Sequence, residues 1–150
     1  MNLVKIASVL DFPAPKLEAY PKETVVAEKF EAMVKLGIAN SRMKDFWDLQ
    51  LMVSEFEFDG AILQEAIQAT FARRQTVFPT QAPLALTDEF GYNQGKQTQW
   101  NAFLRKNRLE GSITLNEVIE LLRAFFLPQI EAGQQEKIFA ALWKPIKCDG

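Results

Sequence analysis

The chain has 150 residues, of which 48% are hydrophobic and 24% charged, and its formal net charge is -2. These values are those of an ordinary globular domain, and they exclude a disordered or collagen-like chain. The negative net charge gives no overall attraction to nucleic acid, so any RNA contact has to be local. One cysteine and no histidine exclude an internal disulfide framework and a zinc site, and they favour a reducing, cytoplasmic compartment.

The first 22 residues predict an extended lead-in. Residues 3–10 are apolar enough for one short strand, which Pro13 and Pro15 end because proline has no backbone N–H for a sheet ladder. A lone strand has no partner nearby, so we expect another segment to precede it. The apolar run is too short for a signal peptide or a membrane span, and no membrane contact is predicted.

The first predicted helix, residues 23–36, carries one charged residue on its apolar side. On a helical wheel the apolar face is formed by Val25, Val26, Phe30, Met33 and Leu36, and the polar face by Thr24, Glu28, Glu31 and Lys35. Lys29 lies inside the apolar arc. An ammonium in that position needs an anionic partner, a path to solvent along its own stem or a lowered pKa.

The second predicted helix, residues 42–57, supplies a partner for that lysine. Arg42 and Asp45 lie within its apolar arc, which is formed by Phe46, Leu49, Met52, Val53 and Phe56; the outward strip is formed by Lys44, Asp48 and Glu55. Gly37 can end the first helix, and Asn40 or Ser41 can cap the second, so the short loop predicts antiparallel neighbours. Packing of the two apolar faces then brings Lys29 and Asp45 into one seam.

The remainder of the chain is also predicted to be helical. Asp59 caps a helix over residues 61–73, whose apolar stripe is formed by Ile62, Leu63, Ala66, Ile67 and Thr70. Helical signal returns near residues 87–92 and over residues 96–106, where one face is shared by Trp100, Phe103 and Leu104. Thr114 and Glu117 form a capping box for the next helix. Pro128 is predicted to break that helix, and a last helix is predicted over residues 134–143.

The charged residues of the first two helices also have a purely structural interpretation. Lys29 and Asp45 can form a half-buried salt bridge, and Arg42 is a ready partner for an Asp in the first turn of its helix. Asp48 and Lys44 can form a solvated pair, which contributes about 0 to 1 kcal/mol. The flanking cations Arg42 and Lys44 make the two carboxylates a poor cage for a cation, so no metal is predicted on this chain.

A set of basic residues occurs at the predicted helix ends: Arg73, Arg74, Arg105, Lys106 and Arg108. Clustered cations are enough to contact an RNA backbone, so these residues can guide RNA. They can equally be helix C-terminal residues that the helix dipole stabilises.

Three runs of this chain resemble the AbiEii/AbiGii nucleotidyltransferase toxins of the DNA polymerase beta-like superfamily. They are YPKETVVAEKFEAMVKLGIANSRMKDFWDL, TFARR at residues 70–74 and KQTQWNAFLR at residues 96–105. The resemblance implies that the Lys of the AEK motif, Lys29, and the acidic residues of the KDxxD motif, Asp45 and Asp48, belong to the active site. It assigns catalysis to Lys29 and Asp45, and nucleotide binding to Arg42, Lys44 and Asp48. The family's first motif, Gly-Ser followed by Asp-x-Asp, which holds Mg²⁺ and the triphosphate, has no match here.

These features predict a mainly α fold, a bundle-like helical lobe in one domain over residues 1–150 that lacks the family's N-terminal α/β core. In that domain, residues 23–57 form the motif-bearing hairpin and residues 58–150 the remaining helices. The resemblance implies the C-terminal half of a toxin that transfers a nucleotide from an NTP, with Mg²⁺, to RNA such as tRNA in abortive infection and phage defence. Its implied partners are the missing N-terminal lobe, a cognate antitoxin and RNA.

The isolated chain is expected to be inactive, because the motif that holds the metal and the triphosphate lies outside it. A different function also remains open from the sequence. The chain can be a non-catalytic helical module, or a decayed remnant, that binds an antitoxin, an N-terminal partner chain or a second copy of itself through its aromatic surface.

Overall fold

A computed structural model describes residues 21–39, 41–134 and 142–143, and within these residues the fold is mainly α-helical, as predicted. Its six α-helices are α1 (Pro21–Leu36), α2 (Met43–Glu55), α3 (Gly60–Arg73), α4 (Asp88–Gly91), α5 (Gln94–Lys106) and α6 (Leu115–Gln134). Short 3-10 turns occupy Gly37–Ala39 and Leu84–Leu86. Two short strands, β1 (Phe58–Asp59) and β2 (Leu142–Trp143), pair antiparallel, with Phe58 opposite Trp143.

Several helix boundaries lie where the sequence predicts them. Gly37 follows α1 with a φ of 55°, in the left-handed region that glycine tolerates. The Asp59 carboxylate accepts hydrogen bonds from the backbone N–H groups of Ala61 and Ile62, at 2.9 and 3.3 Å. The Thr114 hydroxyl accepts from the Glu117 N–H at 3.1 Å, and the Glu117 carboxylate accepts from the Thr114 N–H at 3.0 Å. This reciprocal pair confirms the predicted capping box.

The start of the first two helices differs from the prediction. Helix α1 begins at Pro21, so residues 21 and 22 are helical and not part of an extended lead-in; residues 1–20 lie outside the described residues. Helix α2 has Arg42 at its N-cap, with no side-chain cap. Ser41 lies one residue too early for its hydroxyl to cap the helix, and its carbonyl instead accepts from the Met43 N–H at 3.0 Å. Asn40, the other predicted cap, lies outside the described residues.

The prediction that Pro128 breaks its helix is wrong, because α6 continues through it to Gln134. An internal proline costs a helix about 3 kcal/mol. Burial on both sides of it offsets that cost, since Phe126 and Ile130 are fully buried. The buried Gln129 side chain also donates to the Gly60 carbonyl at 3.0 Å, which ties this turn of α6 to the start of α3.

The last predicted helix, residues 134–143, is wrong at its end, where Leu142–Trp143 form β2; residues 135–141 lie outside the described residues. The Trp143 indole N–H donates to the Val53 carbonyl at 3.0 Å, and its ring packs edge-on against Phe125 with centroids 4.8 Å apart. These contacts with distant parts of the chain hold the segment in an extended conformation.

Aromatic side chains from several helices meet in one core. Phe30 of α1 stacks on Phe126 of α6 at 4.1 Å, and Phe46 of α2 stacks on Phe90 of α4 at 5.4 Å. Helix α1 contacts α2, but it packs more extensively on α3. The first two helices are therefore held as much by a shared core as by each other, and this core fixes the seam between them.

Within the described residues, none of the helices has the length and apolar character needed to cross a membrane.

Candidate functional site

Lys29 and Asp45 meet across the seam between α1 and α2, as the sequence predicts. The Lys29 Nζ lies 3.0 Å from the Asp45 Oδ1, and their side chains are 24% and 11% exposed. The lysine comes from the middle of α1, and the aspartate from the first turn of α2. The pair is sheltered but open to solvent on one side, so a ligand can reach it.

Three more charged residues surround this pair. The Arg42 Nε lies 3.0 Å from the Asp45 Oδ2, and the Lys44 Nζ lies 2.8 Å from the Asp48 Oδ2. The Lys29 Nζ is also 3.4 Å from the Asp48 Oδ2. We call Lys29, Arg42, Lys44, Asp45 and Asp48 the Lys29 cluster. It contains all five residues that the sequence assigned to the site, and its three cations outnumber its two carboxylates.

Asp48 lies deeper in this cluster than its predicted outward position indicates. Its side chain is 23% exposed and is shared between Lys29 and Lys44, whereas the Lys44 side chain is 74% exposed. The two carboxylates are brought to the seam because the neighbouring Phe46 and Leu49 are fully buried in the core. An α-helix whose apolar residues are fixed in this way has no freedom to rotate its aspartates outward.

The Lys29 cluster borders an open groove of about 630 Å³ between the start of α2 and the end of α5. Residues from α2 and the loop before it line one wall, namely Ser41, Arg42, Met43, Lys44 and Asp45. The other wall is formed by Gln99, Ala102, Phe103 and Lys106 of α5. We call this space the α2–α5 groove.

The α5 wall was not foreseen as part of the site. The sequence placed Phe103 on a packing face and Lys106 in a set of basic residues, and it assigned no role to Gln99. No local signal could have placed these residues beside Asp45, because the two walls are more than 50 residues apart in the chain and meet only through tertiary packing.

The chemistry of the Lys29 cluster suits an anion better than a metal ion. Each carboxylate already faces at least one cation at 3.0 Å or less, so its oxygens are poor ligands for Mg²⁺. Within the described residues, no group of three or more His, Cys, Asp or Glu side chains could hold a metal ion. An ammonium has three N–H donors, and the Lys29 group needs only two of them for Asp45 and Asp48. The third can contact a phosphate oxygen.

Two of the predicted basic residues, Arg73 and Arg74, are engaged in ion pairs with α1. The Arg73 Nη2 lies 3.4 Å from the Glu28 Oε2, and the Arg74 Nη1 lies 2.9 Å from the Glu31 Oε1. Glu31 was predicted to face solvent, but it is 1% exposed and also accepts from the Thr76 hydroxyl at 2.5 Å. These contacts give both arginines a structural role at the end of α3. Of the other three predicted basic residues, Lys106 lines the α2–α5 groove, whereas Arg105 and Arg108 do not.

The chain was compared with known proteins. A family model described as "Nucleotidyl transferase AbiEii toxin, Type IV TA system" matches residues 2–125. Comparison with curated proteins and comparison with solved structures each gave no match. The matched range contains the whole Lys29 cluster and the whole α2–α5 groove.

Proposed function

Because the chain belongs to the AbiEii nucleotidyl transferase toxin family of type IV toxin–antitoxin systems, we propose that it supplies the helical side of a nucleotide-transfer site. In this proposal the complete toxin transfers a nucleotide from an NTP to an RNA acceptor, with tRNA as the acceptor class, and a cognate antitoxin opposes it. The observation that carries the proposal is the 3.0 Å contact between Lys29 and Asp45 at the edge of an open groove.

Lys29 is the residue that contacts the triphosphate. In nucleotide transfer, negative charge grows on the pyrophosphate leaving group, and a fixed ammonium stabilises that charge in the transition state. The Lys29 ammonium is held between Asp45 and Asp48, at 3.0 and 3.4 Å. It therefore needs little rearrangement to meet a phosphate oxygen.

Asp45 has a positioning role and a direct role. Its two oxygens are held by Lys29 and Arg42, each at 3.0 Å, so the carboxylate orients Lys29. It can also accept a hydrogen bond from a ribose hydroxyl or from the attacking hydroxyl of the acceptor. Arg42 and Lys44 are exposed cations beside it, which we assign to phosphate contacts, and Asp48 keeps Lys44 and Lys29 in place.

The resemblance implies Mg²⁺ for the complete enzyme, but the described residues of this chain do not fit that ion. The carboxylates of Asp45 and Asp48 face lysine and arginine side chains, which leaves no ring of free oxygens for an octahedral cation. In our proposal the ion and most of the triphosphate are held by the family's Gly-Ser and Asp-x-Asp motif, outside this chain, and Lys29 and Asp45 approach the nucleotide from the other side.

A transfer assay tests the proposal. A radiolabelled NTP is incubated with total tRNA, Mg²⁺ and the chain, alone or together with a polypeptide that carries the Gly-Ser and Asp-x-Asp motif. We expect no incorporation by the chain alone and incorporation by the combination. Mg²⁺-dependent incorporation by the isolated chain would contradict the division of the site. Failure of every such combination would favour a non-catalytic binding module.

A further inference from the structure

We propose that the α2–α5 groove binds the acceptor RNA as a single strand, on the opposite side of Asp45 from the NTP. This inference rests on the proposed nucleotide-transfer function and assigns the second substrate to a place on this chain. The strand's phosphates contact Lys106, and an unpaired base packs against Phe103.

The charge of the groove is opposite to that of the chain. Its lining includes Arg42, Lys44 and Lys106 but only one carboxylate, that of Asp45, whereas the chain as a whole carries -2. Lys106 is exposed and makes no ion pair with any residue in the described ranges. Because Arg42 and Lys44 face Asp45 and Asp48 at 3.0 and 2.8 Å, Lys106 supplies the net positive charge of the groove. A cation placed there on an otherwise acidic chain attracts a polyanion to one place, as RNA binding requires.

The groove also offers a surface for a base. Phe103 is half-buried, and its ring stacks on Trp100 with centroids 5.5 Å apart and lies 6.3 Å from Trp47. These neighbours hold the ring still, so a base can stack on it with little loss of side-chain freedom. The Gln99 side chain lines the same wall, and its amide can donate to and accept from a base edge.

The position of Asp45 explains why the RNA and the NTP occupy opposite sides. Asp45 Oδ1 faces Lys29, which does not line the groove, and Asp45 Oδ2 faces Arg42, which does. A strand in the groove therefore places its terminal hydroxyl at Asp45, while a triphosphate on Lys29 lies beyond the same carboxylate. Lys106 is then left to the RNA and Lys29 to the triphosphate, and the two reactants meet at Asp45.

The test uses fluorescence anisotropy with a dye-labelled single-stranded RNA of twelve nucleotides and the full 150-residue chain. Lys106→Gln removes the groove cation, and Arg105→Gln removes the neighbouring exposed cation at the same end of α5 but outside the groove. Each substitution removes one positive charge from the last turn of α5. We expect Lys106→Gln to weaken binding about fivefold and to lower the slope of log K against log salt by about 0.7, the value for one single-strand phosphate contact. Arg105→Gln should change neither.

A second variant tests the base contact. Phe103→Leu should weaken binding of the ordinary strand but not of a matched strand that lacks its terminal base, because only the former can stack on the ring. Thermal unfolding of each variant shows whether the fold is retained, and Lys106→Gln tests the groove even if Phe103→Leu is unstable.

Three results would overturn the proposal: no RNA binding by the chain, equal losses in Lys106→Gln and Arg105→Gln, or no loss in either. Such results would leave the roles of Lys29 and Asp45 intact, since those are tested by nucleotide transfer. Conversely, RNA binding that depends on Lys106 would stand even if the transfer assay failed, so the two failures are distinguishable.

Discussion

Helix α1 carries two groups of ion pairs on different sides, and they differ in burial and in balance. The first is the Lys29 cluster, which is open to the α2–α5 groove and has more cations than carboxylates. The second consists of Glu28, Glu31, Arg73, Arg74 and Thr76, and we call it the Glu31 cluster. Its two carboxylates match its two guanidinium groups.

This difference is the one expected between a structural group of charges and the catalytic group that we propose. In the Glu31 cluster the central carboxylate is 1% exposed and has partners for both oxygens, Arg74 at 2.9 Å and Thr76 at 2.5 Å. Nothing is left over for a ligand, and the contacts tie α1 to the end of α3. In the Lys29 cluster the central lysine is 24% exposed and retains donor capacity. An excess of cations over carboxylates beside an open groove is therefore the feature that favours ligand binding at the Lys29 cluster.

The largest expected effect is on catalysis. In the proposed enzyme, Lys29→Ala should lower the rate of nucleotide transfer by about 10² to 10³, the usual loss when one donor to a developing negative charge is removed. Its matched control is Lys35→Ala, an exposed lysine on the same helix. The single-turnover rate with saturating NTP is the measurement. Equal rates for the two variants would show that Lys29 has no more than a structural role.

Substitutions in the Glu31 cluster should instead lower the stability of the fold. Glu31→Ala removes the buried carboxylate that Arg74 and Thr76 contact, and it should lower the free energy of unfolding by about 3 kcal/mol. Denaturant unfolding measures this, with Glu28→Ala, a more exposed partner of the same arginines, as the control expected to lose less than about 1 kcal/mol. A loss for Glu31→Ala no larger than that of the control would remove the contrast between the two clusters.

The pH dependence of the Glu31 contribution has a definite sign. Burial alone would raise the pKa of the Glu31 carboxyl, but hydrogen bonds from Thr76 and Arg74 outweigh it and hold the pKa below its ordinary value of 4.5. The unfolded state therefore binds the proton more readily, so this stabilisation is present above pH 4.5 and is lost as the pH falls below it.

Glu23, in the first turn of α1, is a buried acid whose pKa is shifted in the opposite direction. It is 1% exposed, and its Oε1 has no hydrogen-bond partner among the described residues. Burial raises the pKa of its carboxyl from 4.5 to about 7, with Asp59 adding to the shift and Lys22 opposing it. The folded state then binds the proton more readily, so Glu23 lowers stability progressively as the pH rises from 4.5 to about 7.

Glu23→Gln should therefore stabilise the protein at pH 8 relative to pH 5. The full shift corresponds to about 3 kcal/mol, and we expect about 2 kcal/mol because the buried amide still lacks one partner. Thermal or urea unfolding at the two pH values measures the gain, with the exposed Glu65→Gln on α3 as the control. A gain of the same size at pH 5 would show that protonation is not its cause.

The smallest expected effect tests the exposed edge of the Lys29 cluster. Lys44→Ala removes an ion pair whose lysine is 74% exposed, so stability should fall by less than about 1 kcal/mol. The rate of nucleotide transfer should also fall, because Lys44 lines the groove and is assigned to a phosphate contact. A stability loss as large as that of Glu31→Ala would mean that the Lys44–Asp48 pair is structural and that the two clusters have the same role.

The sequence by itself determined the features that depend on neighbours a few residues away. Asp59 and the Thr114–Glu117 pair cap their helices through bonds across three residues or fewer, and Gly37 ends α1 through its own φ angle. The helical period alone put Lys29 and Asp45 on apolar faces, and two buried faces joined by a short loop have few ways to meet. The pairing of these two residues could therefore be predicted.

Only the tertiary structure decided the features whose partners are distant in the chain. Glu31 is buried because Arg74 and Thr76, 43 and 45 residues away, supply its hydrogen bonds; on a helical wheel it is simply a polar residue on a polar face. Helix α6 passes through Pro128 because burial of Phe126 and Ile130 outweighs a local preference. The groove exists because α5 docks beside α2. In each case the free energy of long-range burial and pairing exceeds the local signal, and a local pattern contains no information about it.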